Sequence, residues 1–196
     1  MTEVVLFHHV QGLTDGVVAL ADALRARGHT VHTPDLFDGE RPPSIEEGVA
    51  HVRAVGEEVL AERADAAVAG LPAEVAFAGI SYGTAIAQRL AQTRAGCRGA
   101  LFYESCLPIT GEWAIGPWPD GVPVQVHGME HDPIFADEGD LDAARHLVDT
   151  VGPDVGELFV YPGDRHLFVD SSLPSYDAGA TSLVVERSAA LLDRVG

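Results

Sequence analysis

Gly79-Ile80-Ser81-Tyr82-Gly83 stands between an apolar run, Ala73-Glu74-Val75-Ala76-Phe77-Ala78, and a helical pattern from about Tyr82 to Arg94. The spacing G-x-S-x-G has a physical reason at such a junction. A sharp strand-to-helix turn holds the serine in a strained backbone conformation, so the flanking positions must lack colliding side chains. The turn lifts the hydroxyl clear of the sheet and leaves it at a helix N-terminus. There the backbone N–H of Tyr82 can face a developing negative charge. As a bare string the motif says little; its place between strand and helix gives it meaning.

Working outward, the same alternation recurs along the chain. Residues 3–8 form a buried strand, and a helix runs from Thr14 to Arg27, ended by Gly28. Residues 29–33 return as a strand, and Ser44-Ile45-Glu46-Glu47 has the capping-box spacing for a long helix from about Ile45 to Val68. Strands follow at 73–78, 99–103, 123–127 and 157–161, with helices from about Leu141 to Val151 and from about Ala178 to Val195. The pattern predicts one α/β domain over residues 1–196: a minimal, mostly parallel sheet of about six strands, with helices on both faces in three layers.

Composition narrows the function classes. Of 196 residues, 46% are hydrophobic and 21% charged, and no run approaches the roughly 18 apolar residues of a membrane span. The opening Met1-Thr2-Glu3 reads as the approach to a strand rather than as a signal peptide, so a cytoplasmic protein is expected. Thirty acids stand against twelve bases, all of them Arg, for a formal charge of −18. Such a surface repels nucleic acid and anionic membranes, and neither is an expected partner. A homodimer is compatible with it. Cys97 and Cys106 form no disulfide framework or C-x-x-C pair and read as reduced core or near-core residues.

A serine hydroxyl needs a base at neutral pH, and the base must lie at the same end of the sheet. His166, in Tyr161-Pro162-Gly163-Asp164-Arg165-His166, is the one histidine in a loop at the C-terminal end of a late strand. A carboxylate should hold its other nitrogen in the useful tautomer. Asp132 follows the fifth strand in His127-Gly128-Met129-Glu130-His131-Asp132-Pro133, with Glu130 the local competitor. The second oxyanion donor is expected in the loop His8-His9-Val10-Gln11-Gly12, at the N–H of Val10. His8 and His9 point to opposite faces, which argues for structural roles rather than a metal pair.

In this order and spacing, the pieces resemble the dienelactone hydrolase family of the α/β-hydrolase superfamily. They are the opening strand with its Gly12 turn, Pro34-Asp35-Leu36-Phe37, Gly79-Ile80-Ser81-Tyr82-Gly83, His127 with Asp132, and Tyr161-Pro162-Gly163 with His166, Phe168 and Asp170. The resemblance covers nearly the whole chain. It implies an α/β-hydrolase fold and hydrolysis of a small ester, lactone or thioester through an acyl-enzyme, with no metal and no organic cofactor. The chain order serine, acid, histidine agrees with that superfamily. The family's type enzymes use a cysteine nucleophile, where this chain has Ser81. They carry an activating glutamate in the first loop, where this chain has His9. For a substrate carboxylate only Arg41 and Arg165 are available.

The segment from Glu104 to Val122, rich in Pro, Gly and aromatics, is expected to wall or cap the pocket. Tyr103, Trp113, Trp118 and Phe168 would then bind the acyl or alcohol group. Two readings compete: a catalytically silent hydrolase-fold protein that binds a ligand or partner, and an amidotransferase relative, which would prefer cysteine at position 81.

Overall fold

Apolar β-branched and aromatic runs too short for helices, each bounded by turn residues, make six strands in the computed structural model, which describes all 196 residues. In chain order these are β1 (Glu3–Phe7), β2 (Thr30–His32), β3 (Ala76–Ile80), β4 (Gly99–Tyr103), β5 (Val124–Met129) and β6 (Gly156–Tyr161). The helices are α1 (Asp15–Arg25), α2 (Ile45–Val55), α3 (Glu57–Val68), α4 (Tyr82–Thr93), α5 (Asp140–Val151) and α6 (Ala178–Val195). Thr14 and Ser44 cap α1 and α2 by accepting from the N–H groups of Val17 and Glu47. The long helix expected over 45–68 is two helices. Gly56 adopts φ 94°, in the left-handed region that favours glycine, and ends α2 as it begins α3.

All six strands are parallel, in the order β2-β1-β3-β4-β5-β6. The sheet is covered on both faces, which explains why its strands read as continuous apolar runs. Alternation along each strand sorts the core into two layers. Val5, Phe7, Phe77 and Phe102 pack beneath α2, α3, α4 and α5, while Val4, Leu6, Ala78 and Leu101 pack beneath α1 and α6. The chain leaves β1 for β2 on one side and returns to β3 on the other. The carboxyl ends of β1 and β3 therefore flank the point where strand order reverses, the usual ligand crevice of such a sheet.

Between β4 and β5 the crossover is made by irregular chain instead of a helix. A parallel connection must carry the chain from one end of the sheet to the other. Leu107 is held by both ends of the Gln88 amide, and Trp118 lies edge-on to Phe102 with ring centroids 5.7 Å apart. Gln92, the penultimate residue of α4, donates to the carbonyl of Pro117 at 3.2 Å. The segment thus descends alongside α4, away from Ser81. It is a strap over the lower sheet, not the cap expected from its composition.

Candidate active site

The turn around Ser81 is held by steric necessity. Ser81 has φ 49° and ψ −115°, a strained conformation for a residue with a side chain. A Cβ on Gly79 would lie 2.2 Å from the Gly83 carbonyl oxygen, and one on Gly83 would lie 2.3 Å from the Phe7 oxygen. The two glycines let β3, α4 and β1 come together at one point. The Ser81 N–H donates to the Tyr103 carbonyl at 2.8 Å, and the Thr84 hydroxyl donates to the Gly79 carbonyl at 2.9 Å. The turn is locked on both sides.

Three residues distant in sequence meet above it. The Ser81 Oγ lies 2.8 Å from Nε2 of His166, and Nδ1 of His166 lies 2.7 Å from Oδ2 of Asp132. Asp132 is fully buried, and its Oδ1 accepts from the N–H groups of Ile134 and Phe135 at 2.9 and 3.2 Å. An acceptor-only carboxylate at Nδ1 places the proton there and leaves the Nε2 lone pair for the serine hydroxyl. Burial pulls the His166 pKa down, but the Asp132 hydrogen bond and the charges of Glu104, Asp132 and Asp140 outweigh it. The net shift is upward from the ordinary 6.5. Glu130 is exposed and forms no hydrogen bond or ion pair with His166, whose partners are Asp132, Ser81 and Glu104.

The two candidate oxyanion donors lie on either side of the switch point. Tyr82 opens α4, where an N–H has no intrahelical partner. The N–H of Val10 makes no backbone hydrogen bond in its loop. That loop is fixed by a pair that sequence reading did not anticipate as a pair. The Gln11 N–H donates to Nδ1 of His9 at 3.1 Å, which puts the imidazole proton on Nε2, 2.7 Å from Oδ2 of Asp170. Asp170 also accepts from the hydroxyls of Thr14 and Ser172 and from the Ser172 N–H. Burial opposes its charge, yet the hydrogen bonds of His9, Ser172 and Thr14 bring its pKa down to about 2. Asp170→Ala would leave the buried His9 and Thr14 donors without an acceptor. It is expected to cost about 2–4 kcal/mol of stability, read from urea unfolding. A loss under about 0.5 kcal/mol would show that the pin is dispensable.

His8 is spent on its own loop, with Nδ1 2.8 Å from the His9 carbonyl and Nε2 accepting from the Leu36 N–H at 3.1 Å. The one group of three potential metal ligands is Glu104, Asp132 and His166, whose ligand atoms lie within 4.8 Å of one another. Those atoms are already engaged. Both Glu104 oxygens accept backbone N–H groups, and His166 Nδ1 faces Asp132.

The expected substrate-binding side chains are not brought to Ser81. Tyr103 is fully buried on the α1/α6 side, its hydroxyl 3.0 Å from Ser188 Oγ. Strand alternation turns it away from the crevice. Phe168 is likewise fully buried, against Tyr161. Trp118 lines a cavity of about 490 Å³ with Gln92 and Gly116, at the far end of α4, roughly 16 Å of helix from Ser81. Trp113 is exposed on the strap. A groove of about 290 Å³ between α3 and α4 is lined by Glu57, Ala61, Tyr82, Ala85, Ile86 and Arg89; Tyr82 brings one end of it next to Ser81 in the chain, and neither Ser81 nor His166 lines it. Arg41 and Arg165 point elsewhere, to Asp15 and to the Tyr176 carbonyl.

From sequence, Glu104 marks only the start of a loop. It is fully buried directly after β4, its Oε2 4.0 Å from Nδ1 of His166. The signal available was its position: an acid at the carboxyl end of the strand next to that of Ser81.

No known family profile matches the chain, and no curated protein matches it in sequence. Solved structures do match. A dienelactone hydrolase-like promiscuous phosphotriesterase from metagenomic libraries superposes with a TM-score of 0.78 at 21% identity, covering 100% of this chain and 87% of its own. A putative dienelactone hydrolase from Klebsiella pneumoniae gives 0.76 at 17% identity, covering 99% and 87%. A carboxyl esterase from the fungus Tuber melanosporum gives 0.71 at 14% identity, covering 100% and 78%. The fold is that of the α/β-hydrolases, in the form seen in dienelactone hydrolase-like proteins. No helix is long and apolar enough to cross a membrane.

Proposed function

We propose that the chain is a serine hydrolase of small esters, lactones or thioesters, with Ser81 as nucleophile, His166 as base and Asp132 as the orienting acid. The observation that carries this is the continuous relay of 2.8 and 2.7 Å contacts from hydroxyl to imidazole to buried carboxylate. A ligand-binding module has no need of it. The named activities of the structural neighbours lie in the same direction.

In the proposed cycle, Ser81 Oγ attacks the substrate carbonyl as its proton passes to Nε2 of His166. The N–H groups of Tyr82 and Val10 hold the tetrahedral oxyanion. Collapse breaks the ester C–O bond, and the proton on His166 goes to the leaving alcohol. A water, deprotonated by the same imidazole, then attacks the acyl-Ser81 ester and releases the acid. Asp132 keeps the imidazole in its tautomer and balances the transient imidazolium.

The decisive test is stoichiometric labelling of Ser81 by a fluorophosphonate, beside a panel of nitrophenyl esters, lactones, acyl thioesters and a phosphotriester. One label per chain and turnover of at least one carbonyl substrate are expected. An unlabelled Ser81 favours the catalytically silent alternative. Because the base must be neutral, kcat/KM should fall as the medium is acidified through the raised pKa of His166. The acidic limb is expected to have its midpoint above the ordinary histidine value of 6.5. A limb centred below that value would contradict the shift.

A further inference from the structure

Three of the four non-glycine residues with positive φ in this chain surround one imidazole. They are Ser81 at 49°, Glu104 at 62° and Leu167 at 61°. Such a backbone is strained for a residue with a side chain and persists where its surroundings over-determine it. For Ser81 the turn gives the reason. For the other two the reason is their contact with each other. The Leu167 N–H donates to Oε2 of Glu104, and the Val169 N–H donates to Oε1 at 3.2 Å. Glu104 is wholly buried and is tied to the sheet by its own N–H, which donates to the His127 carbonyl at 2.7 Å. Its carboxylate thus grips the His166 loop at Leu167 and Val169, on either side of Phe168. It also stands 4.0 Å from the same ring nitrogen that Asp132 holds.

We propose that Glu104 is a second acid behind His166: it positions the loop bearing the imidazole, and it shares with Asp132 the stabilisation of the imidazolium. This rests on the catalytic reading of Ser81 and His166. The charged groups facing the imidazole are Asp132 after β5, Glu104 after β4 and Asp140 at the start of α5. Of these, Asp140 is engaged by the Ser105 hydroxyl and the Cys106 N–H and does not touch the loop. Glu104 itself is driven upward to about 7 by burial, against the attraction of His166 and with the repulsion of Asp132. At this separation the ionised carboxylate and the imidazolium stabilise each other. Removing Asp132 then leaves Nδ1–H with a second carboxylate oxygen 4.0 Å away.

The test is a set of three variants, Asp132→Ala, Glu104→Gln and the pair together, read by kcat and by an NMR titration of the His166 ring. Asp132→Ala is expected to keep at least about a hundredth of kcat, and adding Glu104→Gln should remove a further tenfold or more. Glu104→Gln alone should lower the His166 pKa by about one pH unit. Glu104→Asp, which keeps the charge, should restore much of it. A double variant no slower than Asp132→Ala, or a His166 pKa unmoved in folded Glu104→Gln, would overturn the proposal. Should Glu104→Gln not fold, the parent decides: carboxyl and imidazole resonances of Glu104 and His166 that show no shared inflection count against it. The ring titration needs no substrate. Failure of the hydrolase reading, seen as an inactive and unlabelled parent, is thereby distinct from failure of this one.

Discussion

Ser81→Ala is expected to lower kcat/KM for the best ester by at least roughly a thousandfold and to abolish fluorophosphonate labelling, with the fold unchanged. The variant removes the attacking atom and nothing else. The Ser81 side chain is half-buried, caps no helix N–H and has His166 as its partner. Stability should therefore stay within about 0.5 kcal/mol of the parent. What remains would be the work of the oxyanion donors and of binding, which can still favour attack by water. Equal rates in parent and variant across the ester panel would remove the enzyme reading altogether.

Gly83→Ala should do the reverse and damage the scaffold. Alanine is the better helix former by about 1 kcal/mol, and α4 would gain from it. Its Cβ, however, would sit 2.3 Å from the Phe7 oxygen, 2.6 Å from that of His8 and 2.7 Å from the Phe7 carbonyl carbon. These are backbone atoms at the end of β1, which is paired on both sides, to β2 and to β3. No side chain can swing away, so helix and strand must separate. Overpacking wins, and a net loss of about 3 kcal/mol is expected. That should lower the melting temperature by roughly 10 °C in a chain of this size. The same separation would widen the gap between the N–H groups of Val10 and Tyr82. Activity should therefore fall further than the unfolded fraction explains. An unchanged melting temperature would mean that β1 and α4 are not held as close as described.

Ser81, Asp132 and His166 were legible in the sequence because each follows a strand, and parallel strands deliver their carboxyl ends to one rim. Periodicity also placed β4 and α6 at their observed bounds, Gly99–Tyr103 and Ala178–Val195. The break at Gly56 was missed because Val52, Leu60, Ala64 and Val68 keep a helical spacing of apolar residues across it. Tyr103 and Phe168 looked like pocket walls because they are aromatic and close to strand ends. Which face each one takes is settled by parity and by what covers the sheet, and composition carries neither. Trp118 misled for a topological reason: a Pro- and Gly-rich stretch after a strand suggests a lid, yet a parallel sheet obliges that stretch to descend. Glu104 was hidden by its partners. Nothing local marks a loop acid as fully buried when the N–H groups that satisfy it belong to Leu167 and Val169.

The hydrogen bond from His9 to Asp170 joins positions 161 residues apart, so the loop after β1 is fastened in part by the loop after β6. On the ribosome, a nascent polypeptide would carry its reactive hydroxyl long before it carried the imidazole to ionise it or the latch to hold Val10. Under the proposed mechanism, a fragment that ends before β6 therefore carries the nucleophile but neither its base, His166, nor the Asp170 latch.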